Sequence, residues 1–283
     1  MKNLVVYFFF VWVAYFVISF VTPIYAPSFA VCGKLNDYPA ISAAGYDYVE
    51  LSVGDFLIPG KNDSAFQINL EQMEQLNAKI ISCINFIPAH LKITGHETVH
   101  DDILVWAETS FRRAQMSGIH CIVFGSGGAR KVPDGFDMQE ATQQIVNLCI
   151  RMAPLAQKYD VIVVIEPLNR GETNIINSLS EGAAIVKAVN HPNIRLLCDI
   201  YHMLRENEPA EEIVKYGELL YHCHIAEKEI RSAPGTKGDD FRSYFKALKQ
   251  INYQGCISIE ASKWDELKKQ LAPALHYMKQ QYN

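Results

Sequence analysis

The chain has 283 residues, 49% of them apolar, and a formal net charge of -5 at pH 7. That supplies one large core, and single α/β barrels commonly run to about 250 residues, so one catalytic-size domain is expected. The acidic balance and the lack of a Lys/Arg run exclude the basic face that nucleic-acid phosphates require.

Lys2 precedes an uncharged apolar stretch over residues 4–22, followed by Pro23 and small residues around Ala26 and Ala30. A positive start, an apolar middle and a small-residue exit describe an export signal, and about 20 apolar residues also reach across a bilayer as a retained anchor. Residues 1–26 are therefore expected to be a signal peptide or membrane anchor that exports a domain at 27–283 to the periplasm or another extracytoplasmic space. Cleavage after Ala26 and membrane attachment through residues 4–22 are both left open.

From Ser28 onward, short β-rich apolar runs alternate with longer amphipathic stretches, as parallel βα units do. Strands are predicted at 28–35, 47–53, 79–87, 119–126, 161–168, 194–201, 220–226 and 255–261. Helical patterns fall between them at 101–118, 138–159, 180–189 and 241–251, with a closing helix at 264–281. Gly118 ends one helix, Ser178 and Ser180 open another, and Asp239 and Asp240 open the seventh. Eight such units predict an α/β fold, the (β/α)8 TIM barrel. The seven cysteines lack C-x-x-C spacing and sit mostly in apolar runs, so they read as buried small hydrophobes. Cys198 and Cys223 flank proposed ligands, but alternation turns them to the opposite strand face.

In this fold the site lies at the C-terminal ends of the strands, so polar residues that end apolar runs are the candidates. Strands five to eight end at Glu166, Asp199, His224 and Glu260, at intervals of about one βα unit. A single charge there is commonly a cap or an ion-pair partner. Four on successive strands would be costly to gather without a cation. Three carboxylates and an imidazole form an oxygen-rich set that suits one divalent ion, Mn²⁺ foremost, with Mg²⁺, Co²⁺ or Zn²⁺ as alternatives.

The segments VFGSGGARKVPDG (123–135), IEPLNRGETNIIN (165–177), CDIYHM (198–203), HCHIAEKEIRSAPG (222–235) and ISIEAS (257–262) resemble the sugar phosphate isomerase/epimerase family. Its xylose isomerase-like barrels include D-tagatose and D-psicose 3-epimerases and hydroxypyruvate isomerases. The resemblance covers essentially everything after the leader. It implies that Glu166 and Glu260 are both metal ligands and acid/base catalysts, that Asp199 and His224 are ligands, and that His202 and Arg231 contact substrate. Arg231 lies one residue further from the histidine than the family spacing. Family fit favours His224 over His222, although alternation points both rings inward. The implied activity is a metal-dependent sugar isomerase or epimerase moving protons on a ketose through an enediolate; a dehydratase or lyase acting on a keto-polyol or 3-keto-glycoside is the alternative. A small sugar is the expected partner, with no nucleic acid; assembly into a homo-oligomer is left open.

Other residues carry two readings. Glu50 either contacts substrate or makes a structural ion pair or hydrogen bond. Gly125, Gly127 and Gly128 before Arg130 either form an anion-binding nest or a tight loop. Asn169, Arg170 and Glu172 are expected to shape the loop above Glu166. His90, His96, His100 and His191 read as loop residues, and Phe86, Trp106 and Trp264 as packing. An abasic-site endonuclease on the same scaffold would need a strand-four histidine and a DNA-facing surface, which the sequence does not offer. A non-catalytic sugar-binding module would be favoured by loss of a catalytic carboxylate, yet both glutamates are present.

Overall fold

The computed structural model describes residues 27–262, 264 and 266–283. The expected leader, residues 1–26, lies outside the described residues. Among the described residues no helix is long and apolar enough to cross a membrane.

Every predicted strand is present: β1 Ser28–Cys32, β2 Tyr48–Ser52, β3 Ile80–Ile84, β4 Cys121–Phe124, β5 Ile162–Ile165, β6 Ile194–Asp199, β7 Leu220–Ile225 and β8 Cys256–Ile259. They pair in parallel in chain order, and β8 returns to β1 to close the barrel. Five helices fall where the amphipathic patterns placed them, at His100–Met116, Met138–Lys158, Leu179–Val189, Arg242–Gln250 and Leu267–Tyr282, and a further long helix that was not predicted, Asp63–Gln75, joins β2 to β3. Ser178 accepts the Glu181 N–H as a cap, Gly118 leaves its helix at φ 69°, and Asp240 accepts the Arg242 N–H.

Alternation divides the strand side chains into two sets. Outward residues such as Val49, Cys83, Cys198, Cys223 and Ile257 are buried in the main core between sheet and helices. Phe86 belongs to that core, edge-on to Phe124, and Trp106 donates its ring N–H to the Phe86 carbonyl at 2.8 Å. Inward residues Cys121, Val123, Val164 and Leu197 make a separate small core inside the barrel. The inner wall opposite them is polar, with Glu50, Ser82, His222, His224 and Ser258 all buried.

Two register shifts set that polar wall. Between β2 and β3 the pairing passes from Val49↔Ile80 to Glu50↔Ser82, and between β6 and β7 from Leu196↔Leu220 to Leu197↔His222. Each skips one residue of the partner strand and so re-aims the residues that follow.

Candidate metal centre

Four predicted ligands meet above the barrel axis: one donor atom each from Glu166, Asp199, His224 and Glu260 lies within 4.8 Å of all the others. Glu166 and Glu260 each follow their strand by one residue, Asp199 ends β6, and His224 sits on β7 directly opposite Asp199. His224 Nδ1 is 3.2 Å from Glu166 Oε1 and 2.9 Å from Glu260 Oε2. Asp199 accepts the Tyr201 N–H with Oδ1, capping the short helix Ile200–Glu206 and leaving Oδ2 for the centre.

The electrostatics are lopsided. Burial first, and then the nearby Glu260 carboxylate, hold the Glu166 carboxyl above its usual range. Burial also works against the Glu260 charge, but the Arg231 guanidinium and His224 outweigh it and bring that carboxyl down. Burial disfavours a charged His224, and the surrounding Glu50 and Glu260 reverse this, raising it well above an ordinary imidazole. A desolvated group of carboxylates crowded around one imidazole fits a hard divalent cation by charge, donor type and spacing.

Local packing explains why these side chains stand where they do. A Cβ on Gly125 would collide with Glu166 Oε2, and one on Gly128 would lie 2.9 Å from Ala89 Cβ. Arg130, fully buried, donates to the carbonyls of Glu166 at 2.8 Å and Phe124 at 3.3 Å, so it ties the end of β5 to the end of β4. Of the two readings of these glycines, this favours the tight loop over the anion nest. The glycines serve close approach to Glu166 and its loop, and Arg130 is spent on backbone oxygens. Burial pushes its guanidinium down to about 10.

His202 is also buried, and its Nδ1 accepts the Asn169 backbone N–H at 3.0 Å. That leaves the ring proton on Nε2, which lies 3.4 Å from Asp199 Oδ2 and has no hydrogen-bond partner among the described residues. An unsatisfied donor beside the cluster suits a substrate oxygen. Arg231 reaches the centre as well, with Nη2 2.8 Å from Asp199 Oδ2 and a second contact to Glu260 Oε2, while its guanidinium carbon lies over the Tyr201 ring, 4.7 Å from the centroid. The chain bends back there through two consecutive left-handed residues, Ile230 at φ 50° and Arg231 at φ 49°, a conformation costly for a β-branched side chain. A cavity of about 410 Å³ opens above, lined by Asn85, Ser126, Glu166, Glu172, Arg231 and Glu260 among others. A larger one, about 740 Å³, lies at the opposite mouth of the barrel, away from the cluster.

Glu50 requires a correction. It has no exposed surface and does not line the cavity. Its carboxylate lies behind His224, 3.0 Å from Nε2, and also takes the Ser82 hydroxyl at 2.6 Å and the Cys32 thiol at 3.1 Å. Substrate contact is thereby replaced by the structural alternative. Cys32 likewise departs from the reading of the cysteines as hydrophobes, although all seven thiols are free.

Sequence reasoning also passed over Glu227. Fully buried, it accepts backbone N–H groups from Gly235, Lys237, Gly238 and Asp239, and so pins the far end of the loop that carries Arg231. Its one sequence signal was an acidic residue three positions after His224. Asn169 does support its loop, donating to Glu172, while Arg170 pairs with Glu206.

The profile of a family described as xylose isomerase-like TIM barrel matches residues 39–281. An L-ribulose 3-epimerase from Methylomonas sp. is 30% identical over 243 residues, which cover 84% of this chain and 82% of that protein. A probable ketose 3-epimerase from Synechocystis sp. is 25% identical across 78% of this chain and 76% of that one. A solved N-terminal His-tagged D-allulose 3-epimerase from Methylomonas sp., in complex with D-allulose, matches at TM-score 0.73 and 25% identity, covering 90% of this chain and 97% of that chain.

Proposed function

The chain belongs to the xylose isomerase-like TIM barrel family, and from that premise we propose that it is a divalent-metal-dependent epimerase of a free ketose. Its relatives are epimerases and isomerases, and so is this enzyme; the ketose substrate, the metal and the residue roles are our reading. The observation that carries it is the convergence of Glu166, Asp199, His224 and Glu260 within 4.8 Å.

These four residues would hold the ion, Mn²⁺ by donor chemistry. When bound, it would supply Lewis-acid charge stabilisation that lowers the barrier to losing the proton beside the carbonyl of a hydroxy-ketone. Glu166 and Glu260 then do the proton work. They come from β5 and β8, three strands apart around the barrel, so they approach the centre from different sides. One carboxylate removes the proton, and the other delivers one to the opposite face of the planar enediolate, which inverts that carbon. His202 Nε2–H and the Arg231 guanidinium hold the oxygens on which negative charge develops. Burial of Glu166, His202 and His224 keeps water from competing for the exchanged proton.

The test is incubation with Mn²⁺ and D-fructose, D-psicose or L-ribulose in D₂O. Our reading predicts a C3 epimer of unchanged skeleton carrying one solvent-derived deuterium. A product absorbing as an enone would instead assign a lyase, and an aldose would assign an isomerase.

A further inference from the structure

We propose that Glu50 is a positioning residue for the metal centre: its buried carboxylate accepts a hydrogen bond from the Nε2–H of His224 and thereby turns the Nδ1 lone pair toward Glu166, Asp199 and Glu260. This rests on the metal reading above. An imidazole ligates through a deprotonated nitrogen, so a neutral ring has one proton left, on the other nitrogen. His224 has no exposed surface, so water cannot accept that proton. Glu50 Oε2 does, at 3.0 Å from Nε2, while Nδ1 faces Glu166 and Glu260 on the other edge of the ring.

Glu50 is itself held on every side. Ser82 donates to Oε1 at 2.6 Å, the Cys32 thiol points at Oε2 from 3.1 Å, and His222 Nε2 lies 3.4 Å from Oε1. These partners come from β3, β1 and β7, and both register shifts serve them by setting Glu50 opposite Ser82 and His222 opposite Leu197. A bare buried carboxylate would cost several kcal/mol. A cage of donors offsets that and fixes the direction of the free lone pair. Cys32, Glu50 and His224 also have donor atoms within 4.8 Å of one another, which by distance alone would suit a second ion. The hydrogen bonds already made by both Glu50 oxygens, and the absence of exposed surface on Glu50 and His224, favour the positioning role.

The experiment is Mn²⁺ titration of the metal-stripped full chain, following free Mn²⁺ by electron paramagnetic resonance, for wild type, Glu50→Gln, Glu50→Leu, His224→Ala and the two double variants. Removing such an outer partner weakens metal binding by about 10- to 100-fold. Glu50→Leu should lie at the upper end of that range. Glu50→Gln, whose neutral amide oxygen accepts the Nε2–H hydrogen bond more weakly, should lie near the lower end. Both effects should vanish when His224 is already Ala. Glu50→Gln preserves volume, so it reports even if Glu50→Leu fails to fold. Wild-type uptake with an unchanged Kd in every Glu50 variant that folds would overturn this inference alone, as would losses of equal size with and without His224. No uptake by the wild type would overturn the metal reading, and this inference with it.

Discussion

Two layers of the barrel interior differ by one step along the strands. The upper layer, Glu166, Asp199, His224 and Glu260, carries donors that converge on a point, and Glu166 and Glu260 border the open cavity. Two residues earlier on the same strands lie Val164, Leu197, His222 and Ser258, of which the first two join an apolar plug and the last two join the polar wall with Glu50 and Ser82. Chemistry occupies the layer that meets the cavity, and the layer beneath decides how rigidly it is aimed. Each layer has its own failure mode: upper-layer changes should remove turnover or metal, lower-layer changes should loosen both by degrees.

The largest effect expected is from the proton carriers. Glu166→Gln and Glu260→Gln should each cut kcat by roughly 10²–10⁴-fold while substrate binding survives in part, as steady-state and equilibrium-binding measurements would show. Near-wild-type kcat in either would break the two-carboxylate account. Chelation should abolish activity, with recovery on adding Mn²⁺ or Co²⁺; full turnover after metal stripping would remove the ion from the mechanism.

A smaller effect is expected where packing aims an upper-layer residue. Gly125→Ala forces Glu166 off its position, at a cost of order 1 kcal/mol, and should lower kcat/KM by about tenfold with little change in melting temperature. An unaffected kcat/KM would mean that Glu166 has room to move.

The smallest expected effect tests a carboxylate outside both layers. Glu208 is half-buried near Glu181, Glu206 and Glu212, and burial first, then those neighbours, raise its carboxyl to about 7 although it accepts the Leu179 N–H. A folded-state value above the unfolded one favours the folded state at low pH, and this contribution is lost as pH rises through about 7. Glu208→Gln should therefore gain thermal stability over wild type at pH 8 and lose that advantage at pH 5. A gap that does not change with pH would contradict the assignment.

The same two layers divide what the sequence made legible. Strands were readable because each is an apolar run, and the upper-layer ligands because each is a polar residue closing such a run. His224 could be separated from His222 only by family fit, since alternation sends both rings inward; the structure shows the two in different layers. The register shifts at Glu50/Ser82 and Leu197/His222 leave no mark on composition, so the polar wall was hidden. Ser82 and Cys32 look like ordinary small strand residues until their partners arrive from other strands. Arg130 could not be settled from sequence for a related reason. A cation after glycines suggests an anion site, but its real partners are carbonyls on β4 and after β5, and these meet only in the closed barrel.

The central claim is that the upper layer holds one divalent ion. Its most direct test is elemental analysis of the protein after equilibration with Mn²⁺ and removal of free metal, for wild type and for Asp199→Ala combined with Glu260→Ala. The account predicts one Mn²⁺ per chain in the wild type and essentially none in the double variant. Equal metal content in the two proteins would contradict it.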